Sequence, residues 1–258
     1  MALEGVLADP LVLLLALAFL PALLYLASLA IRHPGPSARL ALPGFFYGAT
    51  LSLVVLVALY ILVALVVGNP VKVFQSFFPE RGVNDAVQRD FVLVVLVAPL
   101  LEEAAKGFGV WLLGHRLARR GDGVMLGASV GLGFAAIETF TYLLAALNDA
   151  GSQVAGATVL TLLLVAGLRS VTAALVHPAA TGLTGYGIAR AHLRGRSVFA
   201  ALPFYALAVA LHGSYNYLAA FLPPQPIGGA LVEVNLPIAM LLAALAWGAV
   251  KRGVRARA

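Results

Sequence analysis

Three charged side chains lie within five residues of one another in the middle of an apolar run from about 91 to 113. They are Glu102, Glu103 and Lys106. A charged side chain at the centre of a bilayer costs roughly 2.5–3.5 kcal/mol on insertion scales, so three together need partners inside the protein. We therefore predict that these residues form half of a catalytic centre inside the membrane.

Three further titratable residues lie in separate apolar runs at a similar depth. Glu138, His177 and His212 each fall at middle to outer depth of a predicted span, although successive spans run in opposite directions. Each of these three residues, like Glu102, has a polar residue four positions later. Two residues at i and i+4 share one helix face. The four such pairs are Glu102–Lys106, Glu138–Tyr142, His177–Thr181 and His212–Asn216. The agreement in depth predicts that they converge on one pocket.

The same residues also allow a purely structural interpretation. Glu103 and Lys106, three positions apart, can form a neutral ion pair, and Glu138 can be a packing acid that is bonded to Tyr142 or to Arg169. We therefore assign supporting roles to Lys106, Tyr142, Arg169 and Thr181.

The composition indicates that the elements holding these residues lie in a membrane. Hydrophobic residues make up 62% and charged residues 11% of the 258 residues, and the mean hydropathy is +0.97. Globular proteins carry roughly 25% charged residues, so an ordinary soluble domain is excluded. No cysteine is present, which excludes disulfides and thiolate chemistry. We expect one integral membrane domain, 1–258, whose surroundings are the lipid bilayer.

The apolar runs predict an all-α, polytopic membrane helix bundle with about seven crossings. As a single helix, the stretch 154–190 would be about 55 Å long, against a hydrocarbon core of roughly 30 Å. We therefore predict a break near 167–170, with a short interfacial or partly inserted helix before the fifth crossing. The predicted spans are 11–31, 45–67, 91–113, 124–147, 170–189, 198–221 and 232–250.

The loop charges predict the orientation of the bundle. Basic residues dominate after spans one, three, five and seven, whereas the other loops are neutral or acidic. Short cytoplasmic loops carry an excess of Lys and Arg, so we expect the N-terminus outside and the C-terminus in the cytoplasm. We expect the protein to lie in the inner membrane of the cell. The basic pI thus reflects membrane topology, and we expect no nucleic-acid partner.

Two local features bear on how the spans position these side chains. Pro99 deprives the carbonyl of Val95 of its helical donor and should bend span three just before the glutamate pair. Gly127 and Gly131 form a small-residue stripe on the face of Glu138, which favours close helix packing. Glu138 should therefore face the bundle interior and not lipid.

These motifs together resemble those of a known family. They occur in order on successive spans as Glu102-Glu103-x-x-Lys106, Phe134-x-x-x-Glu138-x-x-x-Tyr142, His177-x-x-x-Thr181 with Arg169 ahead of it, and His212-x-x-x-Asn216. This order is similar to the four motifs of the PrsW family of bacterial intramembrane proteases, relatives of the type II CAAX prenyl-protein proteases. The resemblance covers about 91–221, which we take as the catalytic core.

The resemblance implies an endopeptidase that cleaves a membrane-protein or peptide substrate near the outer side of the membrane. The best understood family members cut an anti-sigma factor there. Peptide hydrolysis needs an activated water, a stabilised oxyanion and a protonated leaving nitrogen. The expected roles are general base for Glu102 or Glu103, water binding or orientation for Glu138 and His177, and oxyanion donors or further ligands for His212 and Asn216.

The sequence leaves the catalytic type open. A catalytic Zn²⁺ takes three protein ligands and a water, and Glu103, His177 and His212 offer suitable groups. A metal-free glutamate mechanism, like that of the related prenyl-protein proteases, would use the same residues.

A membrane transporter is the alternative function. Intramembrane Glu, Lys, Arg and His side chains also mark proton or ion pathways. Transporters often contain internal repeats and paired broken helices. The sequence shows no convincing repeat, and its polar groups lie at one depth, which favours the protease.

Overall fold

The computed structural model describes residues 10–32, 36–77, 85–149, 155–223, 225–227, 230–232 and 234–255. These residues form a helix bundle with one short antiparallel hairpin, in which Gln225 pairs with Val232. The α-helices are α1 Pro10–Arg32, α2 Ala41–Ala49, α3 Leu51–Val66, α4 Pro70–Phe77, α5 Asp85–Phe91, α6 Ala98–Leu113, α7 Arg120–Asp149, α8 Ala155–Val171, α9 Ala173–Leu193, α10 Leu202–Ala220 and α11 Asn235–Gly253. The strands are β1 Gln225–Ile227 and β2 Ala230–Val232. Short 3₁₀ turns cover Pro36–Leu40, Gly114–Arg116 and Val198–Ala201.

The all-α membrane architecture predicted from the apolar runs is confirmed. Among the described residues, five helices are long and apolar enough to cross a membrane, and six if the pair Ala38–Ala49 and Leu51–Val66, bent by 44°, is one span. The continuous helical stretch from Asp85 to Leu113 lies outside this count because it carries Glu102, Glu103 and Lys106. Its inclusion brings the number close to the predicted seven.

The stretch after residue 154 differs in detail from the expectation. Apolar helix extends over 35 residues from Val159 to Leu193, so the segment before Gly167 continues directly into the fifth span. The interfacial position of that segment stays a prediction. The helix is interrupted at Thr172, slightly later than predicted. At this point the Thr172 hydroxyl donates to the carbonyl of Leu168 at 2.7 Å, and side-chain bonds of this kind often bend helices.

Helices α7 and α9 form the centre of the bundle and pack along each other over most of their length. Gly127 and Gly131 allow this approach: a Cβ atom at Gly131 would lie 2.5 Å from the carbonyl oxygen of His177. The predicted small-residue stripe therefore faces α9. Close contact of the two backbones brings Glu138 on α7 near His177 on α9.

The helix that carries the glutamate pair is distorted just before them. Residues Val92–Val97 form a π-helical segment between α5 and α6, and Ala98 donates its amide to Leu93, five residues back. Pro99 follows and has no amide hydrogen to donate. The structure therefore has a π-helical turn where the sequence predicts a bend at Pro99. Single π-helical turns often mark functional sites.

Candidate active site

A buried ion pair anchors the site on α6. The Lys106 ammonium lies 2.5 Å from Oε1 of Glu103, and both side chains have no exposed surface. Oε2 of Glu103 accepts a hydrogen bond from the Thr181 hydroxyl at 3.0 Å. Lys106 also lies over the ring of Phe134, 4.3 Å from its centroid. A buried charge pair is tolerated when further hydrogen bonds satisfy both groups, as they do here.

His212 connects this ion pair to Glu102. Its Nδ1 lies 3.1 Å from Oε1 of Glu103. Because a carboxylate only accepts, Nδ1 carries the hydrogen, and the Nε2 of a neutral ring keeps its lone pair. That Nε2 lies 3.8 Å from Oε2 of Glu102. Oε2 of Glu102 is buried, and no residue in the described part of the chain forms a hydrogen bond with it. The two adjacent glutamates therefore have different environments.

His177 has the opposite tautomer. Its Nδ1 lies 3.0 Å from the Lys106 ammonium, which can only donate, so Nδ1 accepts. Nε2 then carries the hydrogen and donates it to Oε2 of Glu138 at 2.8 Å. The rings of His177 and His212 meet edge to face, with centroids 4.6 Å apart. The two histidines thus present one donor and one lone pair to the same region.

Glu138 is held from its other side by Arg169 of α8. The guanidinium donates to Oε2 of Glu138 at 2.6 Å and to the Thr139 hydroxyl at 3.1 Å. The ring of Tyr142 lies against the Arg169 guanidinium, with the ring centroid 4.0 Å from the guanidinium carbon. Arg169 lies on one side of the interruption at Thr172 and His177 on the other, so that interruption lets both reach one carboxylate.

Asn216 makes a contact that its spacing did not reveal. Its side-chain amide donates to the carbonyl oxygen of Val94 at 2.8 Å. In the π-helical register that carbonyl would accept from residue 99, which is proline, so the Asn216 amide supplies the missing donor. Asn216 therefore fastens α10 to the distorted helix.

A cavity of about 300 Å³ joins these groups. The spacing of the motifs predicted one pocket, and the structure brings all ten candidate residues into one connected region. Lys106, Glu103, Thr181 and His212 do not line the cavity, but the contacts given above connect them to His177 and Glu102, which do. The polar residues lining the cavity are Glu102, Glu138, Tyr142, Arg169, His177, Tyr215 and Asn216.

Comparison with known families agrees with this arrangement. The family model described as PrsW family intramembrane metalloprotease matches residues 37–247. The chain belongs to the PrsW family. No curated protein and no solved structure matches it. Membership in the PrsW family supports an intramembrane protease, as the motifs predicted.

The metal implied by the PrsW family name can be tested against the donor atoms. Glu102, His177 and His212 each offer one ligand atom, and these atoms lie within 4.8 Å of one another. The unpartnered Oε2 of Glu102 and the lone pair on Nε2 of His212 suit a divalent cation. His177 has a partner on each nitrogen and would have to exchange one of them. The residues thus fit a metal, with Glu102 in the place where the sequence suggested Glu103, whose oxygens are already bonded.

Sequence reasoning missed the residues that hold the PrsW family motifs in place. The Tyr215 hydroxyl donates to the Thr172 hydroxyl at 3.0 Å, which ties α10 to the interruption between α8 and α9. The Tyr205 hydroxyl donates to the carbonyl of Leu100 at 2.6 Å. Tyrosine in an apolar run is common, so neither spacing nor composition distinguishes these two from other membrane tyrosines.

Proposed function

We propose that this protein is an intramembrane endopeptidase in which Glu102 is the general base that activates the attacking water. The observation that carries this proposal is the buried, unpartnered Oε2 of Glu102, which faces the lone pair of His212 at the cavity. By contrast, Oε1 of Glu103 is engaged by Lys106 and His212, and its Oε2 by Thr181. Oε2 of Glu138 is engaged by Arg169 and His177.

The 3.8 Å between Oε2 of Glu102 and Nε2 of His212 suits a shared water. A water at hydrogen-bonding distance, about 2.8 Å, from both atoms can donate one hydrogen to each. Its oxygen lone pair then points away from both acceptors, toward a peptide carbonyl in the cavity. Glu102 takes one proton as the oxygen bonds to the carbonyl carbon, and it returns that proton to the nitrogen as the C–N bond breaks.

Donors for the oxyanion lie on the same cavity. The Asn216 amide has a second N–H beyond the one that Val94 accepts, and the Arg169 guanidinium has several. Preorganised donors in a site without bulk water stabilise developing negative charge strongly. Glu138 and His177 keep Arg169 and the rest of the charge network in place.

A divalent ion would be held by Glu102, His177 and His212. When bound, such an ion, of which Zn²⁺ is one, supplies Lewis-acid polarisation of the water or of the carbonyl oxygen. Glu102 and His212 would hold the ion in a metal-dependent enzyme and the water in a metal-free one, so the proposal concerns these two residues first.

We further propose that the substrate is a membrane protein, cut near the outer side of the membrane. The motif residues occupy the middle to outer depth of their spans if the loop charges set the orientation. The family resemblance favours a substrate like an anti-sigma factor.

The test separates hydrolysis from transport. The purified protein is reconstituted in liposomes with a single-span membrane protein, and mass spectrometry identifies any fragments while a pH-sensitive dye records proton flux. We expect fragments from the wild type and none from Glu138→Gln, which loses its pairing with Arg169. Proton flux that depends on Glu138, without fragments, would instead support an ion-coupled transporter.

A further inference from the structure

A second cavity lies on the lipid side of the helix that carries Asn216. It is a groove of about 580 Å³ between the π-helical segment with the start of α6 and the outer half of α10. Several of its lining residues are exposed at the surface of the bundle, Leu96 and Leu100 among them. Its lining includes Phe91, Leu96, Leu100, Val209, Gly213 and Tyr217. Such a surface suits an apolar occupant from the bilayer.

The groove and the catalytic cavity are separated by the contact between the π-helical segment and α10. The catalytic cavity is lined by Val94 and Ala98 on one element and by Asn216 on the other, and the same two elements line the groove. We call this contact between residues 94–98 and α10 the seam. Opening the seam would connect lipid directly with Glu102.

The seam contains features that allow it to separate. The hydrogen bond from Asn216 to Val94 crosses it as a single side-chain contact to a backbone carbonyl. Gly213 puts no side chain into the contact, and a Cβ atom there would lie 2.6 Å from the Val95 carbonyl oxygen. A π-helical turn forms part of the seam, and such turns are frequent at functional sites.

The backbone at the seam favours a peptide over an acyl chain as the occupant. Pro99 has no amide hydrogen for the Val94 carbonyl, so this carbonyl depends on another donor, the Asn216 amide. A partly unwound peptide has N–H groups that can replace the Asn216 amide at Val94, whereas an acyl chain has none. Replacement would also free Asn216 toward the oxyanion.

We propose that the seam is a lateral gate through which an apolar membrane-spanning segment of the substrate passes from the groove to Glu102. This inference rests on the proposed function and adds the route and the class of segment that uses it. The groove binds the segment, and separation of Asn216 from Val94 admits the scissile bond.

The absence of cysteine from the chain permits a clean cross-linking test. Phe91 and Tyr217 meet across the lipid-side edge of the seam, with ring centroids 6.4 Å apart. In the double variant Phe91→Cys/Tyr217→Cys, a short thiol-to-thiol cross-linker would hold the seam closed. The matched control is Tyr25→Cys/Trp247→Cys, another aromatic pair between two helices, with centroids 5.2 Å apart, and neither of these residues lines the groove.

Two substrates are compared, a single-span membrane protein and a short water-soluble peptide with the same scissile bond. We expect cross-linking of the Phe91/Tyr217 pair to lower cleavage of the membrane protein at least tenfold, to spare the soluble peptide, and to have no such effect in the control pair. A cleavable cross-linker should restore activity after reduction, which shows that the variant is folded. Equal loss for both substrates, or no loss for either, would overturn the gate. A wild type that cuts neither substrate would refute the proposed function itself.

A photo-cross-linking benzoylphenylalanine at Leu96 identifies the occupant. The same probe at Leu163, an exposed position on α8, is the control. Capture of the membrane-protein substrate at Leu96 and not at Leu163 is the expected result. Capture of lipid alone at Leu96 would show that the groove is an acyl-chain site and would overturn the proposal.

Discussion

Glu102 and Glu103 are neighbours in the chain and yet occupy different environments. Adjacent residues on a helix point about 100° apart, so one side chain reaches the interior and the other reaches the cavity. Glu103 is fully bonded by Lys106, His212 and Thr181. Glu102 has a buried oxygen to which none of the described residues donates a hydrogen bond. We therefore propose that Glu102 carries the chemistry and that Glu103 serves as the counterion of Lys106.

Removal of Lys106 should destabilise the protein through Glu103. The Lys106→Met variant leaves a fully buried carboxylate without its cation, which typically costs about 3–5 kcal/mol. The double variant Lys106→Met/Glu103→Gln removes both charges and should recover much of that loss. Thermal unfolding in detergent measures both, and Lys251→Met on the exposed end of α11 is the control. A double variant as unstable as the single one would contradict this account of the pair.

The residue types at the site were predictable, but their partners were not. Charge inside an apolar run and the i,i+4 spacing single out Glu102, Glu138, His177 and His212. Which of two adjacent glutamates is free depends on helix rotation and on donors from other helices, which spacing does not fix. Tyr215 was missed because its bond to Thr172 links two helices whose relative position the sequence does not specify.

At the scale of elements, Pro99 and Asn216 should be energetically coupled. Asn216→Leu leaves the Val94 carbonyl without a donor, which costs about 1–3 kcal/mol. Pro99→Ala supplies a backbone amide nearby, so the same Asn216→Leu change should cost less in that background. A double-mutant cycle on unfolding free energy in detergent measures the coupling. Strictly additive effects would show that the two residues do not share the carbonyl.

The contact between α7 and α9 should depend on Gly131. Gly131→Ala places a methyl group against the backbone of His177, and such overpacking costs typically 1–3 kcal/mol. It should also lower peptide cleavage, because it moves His177 away from Glu138. Gly167→Ala on α8 is the matched control, since nothing lies within 4 Å of a Cβ atom there. Equal melting temperatures for the two variants would argue against close packing at Gly131.

The elements themselves were largely predictable. Hydrophobic runs gave span ends within a few residues of most observed helices, and Pro99 marked the distorted turn. Glycine and arginine in the sequence favoured a break near 167–170, whereas the observed interruption lies at Thr172. The Thr172 hydroxyl donates to the carbonyl of Leu168 and accepts from the Tyr215 hydroxyl of another helix.

At the scale of the whole molecule, the loop charges predict that the cavity faces the outer half of the bilayer. Single cysteines in the cysteine-free chain test this with a membrane-impermeant thiol reagent. Gln75→Cys, on α4 between spans two and three, should be labelled in intact spheroplasts. Ser197→Cys, between α9 and α10, should be labelled only after the membrane is opened. The reverse pattern would invert the orientation and move the proposed cleavage site to the cytoplasmic side.

The central claim is that groups from four helices make one site in which Glu102 activates water. The most direct measurement is the rate at which the Glu102→Gln variant cleaves a membrane-protein substrate, with its melting temperature as the measure of folding. Because a general base contributes roughly 10²–10⁴-fold, the account predicts at least about a 100-fold loss of rate with the fold intact. Cleavage by the folded variant within twofold of the wild-type rate would contradict it.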